Sequence, residues 1–392
     1  MKEHRKTLLI TLTLGILTAI GSISIDIYLP AFEVMAHYFK VPLVRIESTV
    51  TVFLFGMAFG QLFIGPLSDV WGRKRPLQIG LTVYILCSLC CILTSSFTLF
   101  LVLRFIQGLA GSACQVISRA LVNDLYGDRK AAHVFTILQI IMGISPILAP
   151  MTGGMLADAE TWKYLFLIMA LISATGLTGC LTILPPGKRP EDHKKLNLPA
   201  IRNAYSYCLK NTAFVNYALL RAISNSAAFA FVTGSPFVLM QIYGLSKKQF
   251  GLVFSLLAVG IICTGILNTR FLSCYGAARI TKFAIAVQMI TGFVMIILLA
   301  TGGSLLSLLS VTFIFMSMLG FILPNATSLY LVAVSTYSGA GSALVGSMSY
   351  LSAFLITSLL SLLHNNTAYP MFIVMWVCVV LAFSCLMYRK IS

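Results

Sequence analysis

The sequence is short of acid. Of its 392 residues only 11 are Asp or Glu, the last is Asp192, and none lies between His193 and Ser392. Any carboxylate chemistry therefore belongs to the first half. Charged residues of both signs make up 10% of the chain, against about 25% in an average soluble domain. A water-soluble chain of this length has too much surface to cover with so few charges. The five histidines, His4, His37, His133, His193 and His364, are scattered near the edges of apolar runs. No His–acid or Cys–His constellation forms and the loops are short, which argues against an enzyme or receptor. No ring of like residues or filter marks a channel. Ten cysteines fall mostly inside apolar runs. Cys87, Cys90 and Cys91 come closest to metal spacing, but without His or acid beside them they read as small core hydrophobes. No disulfide framework, metal or other cofactor is implied.

What the chain has is hydrocarbon: 58% hydrophobic residues and a mean hydropathy of +0.94. Apolar runs near 20 residues recur, each long enough to cross a bilayer as a helix. They do not alternate as barrel strands would. The expected fold class is an all-α polytopic membrane protein with twelve spans, near 8–29, 46–66, 77–97, 98–122, 132–157, 163–184, 212–240, 248–272, 280–301, 304–334, 339–362 and 369–388. The basic start and apolar run of "MKEHRKTLLITLTLGILTAIG" resemble a signal peptide, but the run leads on to Asp26 without a clean cleavage site, so an uncleaved first span is expected.

The net charge of +16 would suggest nucleic acid in a soluble protein. In a membrane protein it reflects basic cytoplasmic loops instead. With twelve spans, 19 of the 27 Lys and Arg fall on the side of both termini, five on the other, and Arg104, Arg119 and Arg221 inside spans. Both termini are thus expected in the cytoplasm, and no nucleic-acid partner is expected. The connection 185–211 is charged and bears prolines, dividing 1–184 from 212–392 as two six-span halves. A faint repeat relates them: Pro30 and Pro236 end the first span of each, and Gly72 and Gly276 sit among basic residues after the second. Parallel repeats of this kind are found in secondary transporters.

Within the spans, polar residues fall on faces. Thr11, Gly15, Thr18, Ser22 and Asp26 form one stripe of the first span. A stripe ending in a carboxylate points to a protein or aqueous interior; the alternative is that Asp26 lies at the outer interface. Arg104, Gln107, Gly108, Gly111, Gln115 and Ser118 share a face of the fourth span. By the helical rise, Asp26 and Arg104 both lie about 6–9 Å below the outer surface. If their helices adjoin, each charge offsets the other's burial. Arg221 and Asn225 lie one turn apart in the seventh span, where Arg221 either polarises a cavity wall or snorkels to the cytoplasm. Ser342, Gly346, Ser349, Ala353 and Thr357 form a small-residue face read as close helix packing. Two stretches are more specific. "GPLSDVWGRKRP", Gly65–Pro76, is a tight basic turn in which Asp69 either caps the next helix or pairs with a neighbouring base. "GISPILAPMTGG", Gly143–Gly154, places Pro146 and Pro150 inside the fifth span, with Gly153 and Gly154 open to a close neighbour.

Taken in order, these residues resemble the major facilitator superfamily, and within it the twelve-span drug:proton antiporters of the bicyclomycin-resistance (Bcr/CflA) branch. Gly60-Gln61 and Gly65–Arg75 resemble the loop 2–3 motif, Leu101–Gly111 the fourth-span motif and Gly143–Gly154 the antiporter motif; "DIYLPAF" and "RALVNDLYGDR" resemble stretches of the branch. The resemblance implies two six-helix bundles in a bacterial inner membrane. It implies export of small amphipathic drugs against protons by alternating access, and hence antibiotic resistance. It assigns Gly65, Asp69, Gly72, Arg73 and Asp124 to gating, with Asp69, Arg73 and Asp124 as a latch. It assigns Asp26 and Arg104 to proton coupling, and Gly143, Pro146, Pro150, Gly153 and Gly154 to bending and sealing the cavity. Asp26, Gln115, Arg221, Asn225 and Asn325 are candidate substrate contacts, with Phe237, Met240, Tyr330 and Tyr350 as further wall residues. The partners are a small molecule, protons and the bilayer. The other reading is proton-coupled export of a metabolite: an amino acid, sugar or nucleoside. The chain departs from some relatives in having Thr18 in place of a second first-span acid, and no Asp in "NTRFLSCYGAAR". A single coupling carboxylate, and single-proton or electroneutral exchange, are therefore expected.

Overall fold

The computed structural model describes residues 2–126, 128–187 and 198–388. Lys188, Arg189, Asp192, His193, Lys194, Lys195, Arg389 and Lys390, and Gly127 of the "RALVNDLYGDR" stretch, lie outside the described residues. The described chain is helical throughout: α1 (Lys2–Asp26), α2 (Phe32–Phe39), α3 (Leu43–Trp71), α4 (Lys74–Leu93), α5 (Phe97–Leu125), α6 (Asp128–Leu156), α7 (Lys163–Thr182), α8 (Leu198–Lys210), α9 (Thr212–Ser235), α10 (Lys247–Tyr275), α11 (Ala277–Ala300), α12 (Leu305–Ser317), α13 (Leu319–Ala333), α14 (Ser338–Leu362) and α15 (Tyr369–Tyr388). Twelve stretches of the described residues are long and apolar enough to cross a membrane.

Proline chemistry accounts for two departures from simple spans. The first stretch runs Thr7–Phe39, well past the expected end at residue 29, because a 3-10 turn at Leu29–Ala31, holding Pro30, passes the chain from α1 into α2. The seventh runs Thr212–Ile242 and finishes in a π-helical segment that Pro236 opens. Proline cannot donate to the preceding turn, so the hydrogen-bond pattern changes where it enters. The two prolines paired by sequence thus sit in corresponding non-α segments. Their partner glycines match as well: Gly72 has φ 78° and ψ 163°, and Gly276 has φ 73° and ψ 153°. The tenth stretch is interrupted at Met318, between α12 and α13.

The chain divides into two compact units, Met1–Pro199 and Ala200–Ser392. In the first, α3 packs most extensively on α5, α4 on α5 and α7, and α1 on α6. In the second, α9 packs on α13, α14 and α15. The stripe-bearing helices are therefore inside their units. Thr11, Thr18, Arg104, Gln107, Gln115 and Ser118 are buried, while Leu86, Leu93, Ile290 and Leu306 are exposed. Such a distribution suits a hydrocarbon solvent, where large apolar side chains lie outward at no cost.

The α3–α5 crossing depends on missing side chains. A Cβ at Gly108 would be driven into the Phe53 carbonyl of α3. Overpacking of this kind costs about 1–3 kcal/mol. Gly108→Ala is expected to lower the thermal midpoint of the purified protein in detergent. Gly339→Ala, where a Cβ meets nothing within 4 Å, is expected to leave it unchanged or raise it slightly through helix propensity.

Candidate functional site

The first unit is organised around Arg104, the eighth residue of α5, which is fully buried. Its Nη1 donates to Gln107 Oε1. Its Nη2 donates to the Ser24 carbonyl at 2.9 Å and to the Tyr28 hydroxyl at 3.1 Å. The guanidinium lies 4.6 Å from the Tyr28 ring centroid and 4.5 Å from that of Phe53. Neutral acceptors and ring faces thus replace its water shell.

The hydrogen bonds continue outward in a consistent sense. Gln107 Nε2 donates to Ser88 Oγ at 2.7 Å, and Ser88 donates to the Tyr84 carbonyl at 2.8 Å. Because Thr49 Oγ1 donates to the Ile46 carbonyl at 2.6 Å, its 2.9 Å bond with Tyr28 is donated by the tyrosine. By the same reasoning Tyr84 donates to Ser24, whose own proton goes to the Ile20 carbonyl. One guanidinium therefore orients hydroxyls on α3, α4 and the turn after α1.

Asp26 is the last residue of α1 and is buried, at 6% exposure. The stripe that leads to it is covered as well, with Thr11 and Thr18 buried. The expected partnership with Arg104 does not form. Among the described residues Asp26 accepts no hydrogen bond, and both ion pairs belong to Arg73. The helix stops at Asp26, so it is Tyr28, two residues on, that turns to the guanidinium. Periodicity extrapolated along the stripe could not anticipate that corner. Tyr28, Ser24, Thr49 and Tyr84 were missed for the same reason: Ser24 and Tyr28 reach Arg104 across helices, and Thr49 and Tyr84 reach those two, without a local signal.

Gln115 lies on the same face of α5 and accepts from Gln61 Nε2 of α3 at 3.2 Å. The residues of the antiporter-like motif lie in α6. Gly143 and Pro146 are half-buried, and Pro150, Gly153 and Gly154 are buried. A Cβ at Gly153 would strike the Ile27 carbonyl and Pro30, so this glycine seats α6 against the corner that follows Asp26.

At the other end of α3 and α5, the latch residues meet. Arg73 Nε donates to Asp124 Oδ2 at 2.9 Å, and its Nη1 donates to Asp69 and, at 2.8 Å, to Ser68 Oγ. Asp69 pairs with a base rather than capping α4. Gly72 supplies the positive φ that turns the chain, while Gly65 remains inside α3. Burial pulls the Arg73 guanidinium down, but the hydrogen bonds and charges of Asp124 and Asp69 outweigh it and hold its pKa above the ordinary value.

In the second unit Arg221 is turned inward and does not snorkel: Nε donates to Thr327 Oγ1 and Nη1 to Ser349 Oγ, each at 2.9 Å. Asn225 is half-buried one turn on. Asn325 is engaged with Asn268 of α10, donating to its Oδ1 at 2.7 Å. The small-residue face of α14 packs on α9, where Ser226 donates to Ser352 at 2.8 Å. Among the described residues no group of three His, Cys, Asp or Glu side chains gathers to hold a metal.

The Asp124 side chain is 7% exposed and that of Asp69 63%, so the two halves of the latch differ in weight. Breaking a buried pair costs about 3–5 kcal/mol, whereas an exposed pair contributes at most about 1 kcal/mol. Asp124→Ala is expected to lower stability in chemical denaturation by about 3 kcal/mol. Asp69→Ala is expected to change it by less than about 1 kcal/mol.

The sequence profile of the Major Facilitator Superfamily matches residues 14–357. The chain is 30% identical over 385 residues to the uncharacterized MFS-type transporter YdgK of Bacillus subtilis, covering 96% of this chain and 94% of that one. It is 31% identical over 382 residues to a bicyclomycin resistance protein homolog of Haemophilus influenzae, covering 97% and 96%. Among solved structures it is similar to a D-xylose-proton symporter, with a TM-score of 0.76 at 13% identity over 96% of each chain. At that identity the likeness is one of fold.

Proposed function

Because the chain belongs to the Major Facilitator Superfamily, it is a multi-pass transport protein of the bacterial inner membrane and not an enzyme, and we propose that it exports a small hydrogen-bonding metabolite, such as an amino acid, sugar or nucleoside, in exchange for protons. The observation that carries the coupling is Asp26, a buried carboxylate that among the described residues makes no ion pair, both of those belonging to Arg73. An ionised carboxylate in that setting costs several kcal/mol. A proton relieves the cost, and so does a substrate that offers a donor or a positive charge. Occupancy by one disfavours the other, which is the condition for exchange. Arg104 is met by Gln107, Ser24 and Tyr28, not by Asp26. Both termini lie in the cytoplasm in this reading, and the units act as two six-helix bundles that alternate access. The Arg73–Asp124–Asp69 latch then holds the inner ends of α3, α4 and α5 in one of the alternating states. Gly143–Gly154 keeps α6 against the Asp26 corner.

Polar groups favour a metabolite. Each unit holds polar groups among its helices, Gln115 in the first and Arg221 and Asn225 in the second, of the kind that suit a hydroxyl- or amide-bearing compound. The fold shared with a D-xylose-proton symporter is compatible with such cargo. A second reading, export of small amphipathic drugs, draws on the 31% identity to a bicyclomycin resistance protein homolog; antibiotic resistance belongs to that reading.

Respiring everted vesicles carrying the protein, with quinacrine fluorescence reporting the proton gradient, separate the two. Amino acids, sugars or nucleosides are expected to dequench quinacrine as protons leave in exchange. Dequenching by bicyclomycin or ethidium alone favours the drug reading. Asp26→Asn is expected to abolish the response, and full dequenching by that variant removes Asp26 from the coupling path.

A further inference from the structure

A second buried carboxylate lies in the same unit and is used by none of the interactions described so far. Glu47 is the fifth residue of α3 and only 2% exposed. Its Oε1 is enclosed and has no hydrogen-bond partner. It shares its helix face with Val50, Thr51, Leu54, Ala58 and Gln61, all buried. That stripe leads over about 21 Å to the Gln61–Gln115 contact. The protein, not lipid, covers it along the whole length.

The titratable and charged groups on the surrounding elements do not answer it. Arg45 is on its own helix; α2 carries Glu33 and His37; Asp26 and Tyr28 precede α2; α5 carries Arg104; and α4 brings Cys87 and Cys91 toward its last turns. Among the described residues none of the basic groups lies within ion-pair distance of Glu47, since Arg73 makes both ion pairs. Arg104 is directed to Gln107, Ser24 and Tyr28 instead. The two free carboxylates flank one hydrogen bond: Tyr28 and Thr49, joined at 2.9 Å, each stand two residues after an acid.

We propose that Glu47 is a second proton-carrying carboxylate of this transporter, neutral in the conformation seen here. The idea rests on the proton-coupled reading above and deepens it. In each cycle a hydronium on one side of the membrane protonates the carboxylate, leaving water, and deprotonation to water on the other side restores the charge. With Asp26 doing the same, exchange moves two protons per turnover rather than the one expected from the sequence.

The test is pH-difference infrared spectroscopy of the purified full-length protein in lipid, following the protonated-carboxyl C=O band. The expected result is two components, each lost reversibly as pH rises. Asp26→Asn should remove one component and Glu47→Gln the other, and Glu47→Asp should keep the second at a shifted frequency. A band unchanged by Glu47→Gln, or a Glu47 component that never titrates, overturns the proposal and leaves the Asp26 reading standing. Absence of any titrating component in the wild type removes proton coupling through both acids.

Discussion

A buried guanidinium with no anion beside it is the constraint on which the first unit depends. Arg104 cannot shed its proton, and in hydrocarbon it cannot be left bare. Its two terminal nitrogens are met by acceptors, while Nε is enclosed without a partner. Gln107 comes from its own helix, Ser24 from the last turns of α1, and Tyr28 from the turn beyond. Satisfying one charge thus fixes where α1 stops, how the chain bends toward α2, and which way the hydroxyls of Thr49 and Ser88 point. Tyr28 and Phe53 complete the shell with their ring faces. Asp26, left outside that shell, is buried without being neutralised. A direct Asp26–Arg104 ion pair would have spent both charges on each other and left the carboxylate little reason to bind a proton.

The packing of α3 on α5 carries this arrangement from one end of the helices to the other. The hub holds one end of the pair, glycines allow the backbones to approach, and Arg73 ties the opposite ends through Asp124. The unequal exposure of Asp69 and Asp124 sharpens this. The buried Asp124 supplies the cohesion, while Asp69, near solvent, adds orientation to the Arg73 fork.

Much of this was legible in the sequence, and the boundary of legibility is physical. Twelve apolar runs and the face of α5 follow from period and spacing, because each is a property of one helix, while the latch residues Asp69, Arg73 and Asp124 came from the family resemblance. The matched Pro30 and Pro236, and the like φ of Gly72 and Gly276, were also visible, since proline and glycine act on their own backbone. What period cannot give is the partner across a helix boundary. The Asp26 stripe was extrapolated as if α1 continued, but the helix ends there and hands the contact to Tyr28. Asn325 was visible as a polar residue, yet its engagement by Asn268 depends on the α10–α13 packing. Glu47 stood one residue inside an expected span, where an acid looks like an interfacial residue; only tertiary packing shows it covered.

The uneven distribution of acid then acquires a mechanical meaning. The second unit has an inward Arg221 that is met by Thr327 and Ser349, and no carboxylate from its own sequence can neutralise it. The first unit has two covered carboxylates that no cation neutralises. In the reading proposed above carboxylates carry the protons, and the sequence places no Asp or Glu in the second unit. On that proposal the second unit contributes hydrogen-bond donors, Arg221 among them, suited to carbonyl, hydroxyl or carboxylate oxygens, and a division of labour between proton and cargo follows from the uneven distribution of acid.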